Sequence, residues 1–163
     1  MKDVISKPPP VLDCARVLEY AILNDSVSFS GKTLLFVDGK ELDRVPCLAI
    51  CQNLNEAEVL LFHCDSAWTV LGIGGYDTVS AAKSRAERIY PGVSSCWVQA
   101  HVSETEASKY LDEMWGDQRC SFCGKRPDEV EQIFGRGKAY VCSNCISEFH
   151  EDLRKNRLGE DVE

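Results

Sequence analysis

Residues 120–145 read CSFCGKRPDEVEQIFGRGKAYVCSNC, and two Cys-x-x-Cys pairs bracket the stretch. Cys120 and Cys123 form the first pair, Cys142 and Cys145 the second, and 18 residues lie between them. This spacing is that of a four-thiolate zinc site. Each pair aims two sulfurs at one point, and Zn²⁺ accepts four thiolates as a tetrahedron without a preference from its d-shell. A closed set of four sulfurs leaves no position for a reactive water, so the site reads as structural, with one Zn²⁺ per chain.

The segment around these cysteines needs such a staple. A stretch of about 45 residues rarely buries enough apolar surface to fold alone. Gly124 follows the first pair, where a left-handed residue is often required. Pro127, Asp128 and Glu129 suit the start of a helix, and Val130, Ile133 and Phe134 give that helix an apolar face. Gly135 and Gly137 end it. Ala139-Tyr140-Val141 leads as a short strand into the second pair, which opens another helix carrying Ile146, Phe149 and Leu153.

The run from Cys120 to Leu153, CSFCGKRPDEVEQIFGRGKAYVCSNCISEFHEDL, resembles the zinc-binding domain of the bacterial unfoldase ClpX. The motifs that carry the resemblance are C-S-F-C-G-K, the D-E-V that follows, the aromatic-Val-Cys approach and a second C-x-x-C that opens a helix. The resemblance covers residues 119 to about 154. It implies a treble-clef-like fold in which Cys120, Cys123, Cys142 and Cys145 hold a structural zinc. It also implies that Phe122, Val130, Ile133, Phe134, Tyr140, Ile146 and Phe149 form a mini-core or a dimer face, and that the module recognises protein partners. In ClpX the module precedes an ATPase; here it follows a different domain, so the resemblance does not carry unfolding activity with it.

Upstream, the chain divides near residue 118. Residues 1–10 end in Pro8-Pro9-Pro10 and read as an extended leader. In residues 11–23, Val11, Leu12, Ala15, Leu18 and Ile22 share one helical face, so a helix is expected there. Residues 33–37 read as a strand, Asp38-Gly39 as a hairpin turn, and 45–51 as the return strand. Residues 58–64 and 67–73 give two more strands, the second ended by Gly74-Gly75. A helix capped by Asp77 or Thr78 follows, with Val79, Ala82, Ala86 and Ile89 on one face. Residues 95–101 are a further strand. Ser103 and Glu106 form a capping box for a helix that runs to about Trp115 and stops at Gly116. The expected architecture is α+β. A mainly antiparallel sheet with helices occupies 11–116, a small four-cysteine zinc domain occupies 119–155, and 156–163 form a flexible tail.

Composition sets the outer bounds. Of 163 residues, 18 are Lys or Arg and 26 are Asp or Glu, for a formal net charge of −8. Residues 1–118 carry 10 basic and 17 acidic side chains, and residues 119–163 carry 8 and 9, so the acidity sits upstream. An acidic chain does not condense onto phosphate backbones, which argues against nucleic acid and anionic membranes as partners. No apolar run approaches the roughly 20 residues of a membrane helix. The start, MKDVISKPPP, lacks the apolar region of a secretory signal. An odd total of nine cysteines without such a signal points to a reducing compartment, so a cytoplasmic location is expected.

Other motifs have bland readings. Gly31-Lys32-Thr33 lacks the earlier glycine of a phosphate loop, since position 26 is Ser. Gly72-Ile73-Gly74-Gly75 lacks the third glycine of a dinucleotide loop, since position 77 is Asp. His63 and Cys64 are neighbours on a strand and point to opposite faces. Cys47 and Cys51 with His63 or His101 lack the spacing of a second metal site, and His150 reads as a helix-surface residue. Trp68, Trp97 and Trp115 read as core. No catalytic constellation emerges, so the expected function is a non-enzymatic zinc-binding interaction protein. Its zinc module would dimerise or dock a partner or substrate, as a quality-control adaptor would. The alternative is an acidic immunity-type protein that neutralises a toxin by direct binding.

Overall fold

A computed structural model describes residues 5–32, 35–37, 40–42, 44–54 and 56–159. The chain forms two compact units, residues 1–110 and 111–163.

The first unit is built on an antiparallel sheet. Its strands are β1 (Val11–Leu12), β2 (Ala15–Ile22), β5 (Cys47–Asn53), β6 (Val59–Cys64) and β7 (Val70–Tyr76), side by side in the order β1-β2-β5-β6-β7. β8 (Trp97–Gln99) pairs with β2, setting Glu19 opposite Gln99 and Ala21 opposite Trp97. A separate hairpin pairs β3 (Leu35–Val37) with β4 (Lys40–Leu42). That pairing replaces the expected return strand at 45–51, which instead lies between β2 and β6. The Asp38-Gly39 turn lies outside the described residues. β7 runs on through Gly74 and Gly75 to Tyr76 rather than ending at them.

The expected helix over 11–23 is two strands. Asp13 and Cys14 both take positive φ, at 44° and 66°, and form the two-residue turn that sets Leu12 opposite Ala15. Two successive left-handed residues suit a hairpin of this length and cannot sit inside an α-helix. The helical spacing comes from a bulge in β2, where the register with β5 shifts between Val17 and Glu19. Ala15, Val17, Tyr20 and Ile22 pack in one cluster, while Leu18, Ala21 and Leu23 pack in the other. The bulge puts Ala15 and Ile22, seven residues apart, on the same face as two helical turns would, whereas Leu18 of the expected helical face packs on the other.

The sheet therefore carries apolar residues on both faces. On one, helix α1 (Val79–Ile89) buries Ala82, Ala86 and Ile89 against Leu48, Ile50 and Leu61. Thr78 caps it, its Oγ1 accepting from the Ala81 N–H at 3.1 Å. On the other face, Cys47, Ala49, Cys51, Phe62 and Cys64 are buried with Trp68. Residues 5–10 are fastened to this side. Ile5 packs on the cluster, the Trp68 indole N–H donates to the Ser6 carbonyl at 2.9 Å, and the Val17 N–H donates to the Pro10 carbonyl at 3.0 Å. Helix α2 (Glu104–Trp115) begins at Ser103, whose hydroxyl accepts from the Glu106 N–H.

In the second unit, the helix expected over 127–134 is a single 3₁₀ turn, Pro127–Glu129, followed by a hairpin. The hairpin joins β9 (Ile133–Arg136) to β10 (Ala139–Cys142), and helix α3 spans Ser143–Gly159, so residues 156–159 of the expected tail are helical. Ile133 packs inward and its neighbour Phe134 is exposed, which is strand alternation and not a shared helical face. Gly135 lies opposite Tyr140 in this hairpin, and a Cβ at 135 would meet the Tyr140 ring at 2.6 Å. The small residue leaves room for the ring. No helix among the described residues is long and apolar enough to cross a membrane.

Candidate metal centre

Backbone hydrogen bonds fold the first Cys-x-x-Cys into a turn. The Gly124 N–H donates to the Cys120 carbonyl at 2.8 Å and the Cys120 N–H to the Lys125 carbonyl at 2.9 Å. Gly124 takes φ +75°, the conformation its position anticipates. The Ser121 N–H donates to the Tyr140 carbonyl at 2.8 Å, and the Tyr140 N–H donates to the Ser121 hydroxyl at 3.1 Å. These bonds tie the first turn to β10, the strand that delivers Cys142. Cys145 then follows on the first turn of α3.

The four sulfurs lie within 4.8 Å of one another. Cys120 Sγ is 3.7 Å from Cys145 Sγ, and Cys123 Sγ is 3.7 Å from Cys142 Sγ. Four thiolates around zinc at about 2.3 Å form a tetrahedron with edges of about 3.8 Å, so the set matches zinc in size as well as in chemistry. Among the described residues, this is the one group of three or more Cys, His, Asp or Glu side chains placed to hold a metal ion. The four cysteines are positioned to hold one zinc ion.

Ionisation of such a set is a collective matter. Burial opposes a charge on Cys120, but backbone N–H groups of Cys123, Phe122 and Cys142 outweigh it and bring the thiol down to about 6. Burial and the neighbouring sulfurs hold the Cys145 thiol up. A divalent cation held by the four sulfurs would supply the positive charge that lets them ionise together.

Around the sulfurs the apolar shell is thin. Cys120, Cys142 and Cys145 are buried, and Val130, Ile133 and Val141 pack against them. The cysteines are thus a large part of the core that they also organise. Five other apolar residues of the segment face outward. Phe122 is 64% exposed, Leu153 59%, and Phe134, Ile146 and Phe149 between 40% and 45%. Phe122 and Phe149 meet edge to face with centroids 4.9 Å apart. With Val141, Ile146, His150 and Leu153 they line an open groove of about 430 Å³. The resemblance groups mini-core and outer-face residues together, and the structure separates them.

Arg126 has no signal in the sequence. Its guanidinium is buried, 6% exposed, and pairs with Asp112 Oδ1 at 2.7 Å and with Asp128 at 3.1 Å. Its backbone N–H donates to Glu129 Oε2 at 2.8 Å. Arg119 also binds Asp112. The Arg126 hydrogen bond, with Arg119 adding to it, holds the Asp112 carboxyl below the usual range. Read along the chain, Arg126 is one more surface charge; only the fold shows that α2 brings Asp112 to it.

The remaining candidates lie apart. Cys47, Cys51 and Cys64 are buried in an apolar cluster, and burial pushes the Cys47 and Cys64 thiols up to about 11 and about 12. His63 points to the opposite face, with Nδ1 3.3 Å from the Tyr90 hydroxyl. Gly72–Gly75 is part of β7 and not a loop. His150 is exposed on α3.

Residues 118–155 match the family model described as the ClpX C4-type zinc finger. No solved structure matches the chain.

Proposed function

We propose that the chain is a non-enzymatic zinc-binding interaction protein whose zinc module docks a protein surface, in the first instance a second copy of itself. The observation that carries this reading is the apolar groove of Phe122, Val141, Ile146, Phe149 and Leu153 on a unit too small to hide it. Paired aromatics beside aliphatic side chains are the composition of an interface centre. The ClpX-type zinc finger at 118–155 supports a second copy as occupant, because the resemblance implies dimerisation. The groove would then meet its own copy in an isologous contact. A docking role in protein quality control is the finer form of the same reading and rests on the resemblance alone. Four sulfurs around one ion leave no open position for a reacting group, in keeping with a structural rather than a catalytic zinc.

Light scattering across a concentration series tests the proposal. A mass that rises from one chain to two with concentration supports it. Phe149→Asp should then split the dimer, since it leaves an uncompensated charge in an apolar contact. A zinc-loaded protein that stays monomeric at high concentration overturns self-association.

A further inference from the structure

The four metal-site cysteines are not equally protected. Cys120, Cys142 and Cys145 are 2%, 0% and 5% exposed. Cys123 is exposed, and of the nine cysteines in the chain it alone is. Six of the others are buried, and Cys14 and Cys96 are partly so. Next to it, a Cβ at Gly124 would meet nothing within 4 Å, so the flank of the turn is open. Cys123 thus combines two features that rarely coincide: a place in a closed ligand set and an exposed position on the surface. The Cys142 sulfur lies 3.7 Å from it and is fully buried. Reactive cysteines are marked by thiolate character together with exposure. A cysteine held as a metal ligand has the first, and only Cys123 adds the second.

We propose that Cys123 is an oxidation site for hydrogen peroxide, that Cys142 resolves it as a disulfide, and that this reaction releases the zinc ion. In the first step the Cys123 thiolate attacks one peroxide oxygen. An S–O bond forms, the O–O bond breaks, and hydroxide leaves. In the second, the Cys142 thiolate attacks the oxidised Cys123 sulfur. The S–S bond forms, the S–O bond breaks, and a second hydroxide leaves. The two sulfurs together give up two electrons, and the peroxide is reduced to two hydroxides that become water on taking up protons. Two of four ligands are then lost, one from each Cys-x-x-Cys pair, which leaves Cys120 and Cys145 unable to close a tetrahedron. The inference needs the zinc site but not the dimer.

The test uses the full chain loaded with zinc. Limiting iodoacetamide followed by peptide mass spectrometry should label Cys123 at least about tenfold faster than Cys120, Cys142 or Cys145. Hydrogen peroxide in the presence of a chromogenic zinc chelator should release zinc as a Cys123–Cys142 disulfide appears. Dithiothreitol with added zinc should reverse both. Cys123→His keeps a zinc-binding atom but removes the oxidisable sulfur, and should slow release by about tenfold or more. First labelling at another of the four cysteines overturns the proposal. So does a disulfide joining any other pair, or unchanged release from a zinc-loaded Cys123→His protein. If that variant holds no zinc, the labelling order and disulfide map of the unmodified sequence decide the matter alone.

Discussion

Arg126 and Asp112 share a hydrogen bond of 2.7 Å that fixes the end of α2 to the turn ahead of the zinc hairpin. The arginine is nearly buried and the aspartate half-exposed. The partners therefore differ in what their loss leaves behind. Removing Asp112 leaves Arg126 with Asp128 and Glu129, whereas removing Arg126 takes the guanidinium from all three carboxylates and leaves Asp112 with Arg119. Arg126→Ala should accordingly destabilise the second unit by about 1–3 kcal/mol, the usual scale for a charged hydrogen bond, and Asp112→Ala should cost less. Thermal melts of the two variants, each with zinc bound, check the order.

Zinc removal should unfold one unit and spare the other. The core around Cys120, Cys142 and Cys145 contains little besides the ligands and Val130, Ile133 and Val141. Cys120→Ser or Cys145→Ser, or a strong chelator, should abolish amide protection across 119–155. Protection in β5 and β6 should survive. Hydrogen exchange resolves the two regions, and metal analysis of the unmodified chain should return about one zinc per chain.

His63 should make the first unit acid-sensitive. Burial, with Arg85 adding to it, holds its imidazole down to about 4 from a usual 6.5. The unfolded chain therefore binds more protons than the native one between these values. The stability is fully present above about pH 6.5 and falls as pH drops towards 4. At pH 5 the loss is on the order of 2 kcal/mol. Urea unfolding followed through β5 and β6 amides at about pH 7.5 and about pH 5 measures it, and His63→Phe should shrink the difference.

Gly92 stands at φ +97°, and a Cβ there would meet the Ser26 carbonyl oxygen at 3.2 Å. Its N–H donates to Glu87 Oε1 at 2.8 Å, and Ser94 donates to the other carboxylate oxygen. Gly92→Ala should destabilise the first unit by about 1–2 kcal/mol, through both backbone strain and the close approach. A shift in the urea midpoint with no change in slope is the expected signature.

The metal centre was legible because its information is local. Cys120, Cys123, Cys142 and Cys145 announce themselves by spacing, and Gly124 by its place after the pair. Where the sequence misled, two periodicities overlapped. The β2 bulge sets Ala15 and Ile22, seven residues apart, on one face of the sheet, the spacing of two helical turns, while Leu18 between them packs on the other. Val130, Ile133 and Phe134 have helical spacing too, yet only the first two turn inward. Helices α1 and α2 were legible through their caps, Thr78 and Ser103, which act within three residues. Arg126 and the division of outer face from inner were hidden for the opposite reason. Each depends on which distant residue arrives beside it, and no local pattern records that.

The pairing of β2 with β8 bears on how the protein is made. Glu19 lies opposite Gln99, so a strand that leaves the ribosome early waits eighty residues for one of the three strands it pairs with. At about 5–20 residues per second that wait lasts roughly 4–16 s. During it, residues 19–21 of β2 offer an unpaired edge to whatever is near, including the same strand on a neighbouring nascent chain. Polysomes crowd such chains together, so slow translation between residues 22 and 97 should cost yield, and faster passage through that interval should restore it.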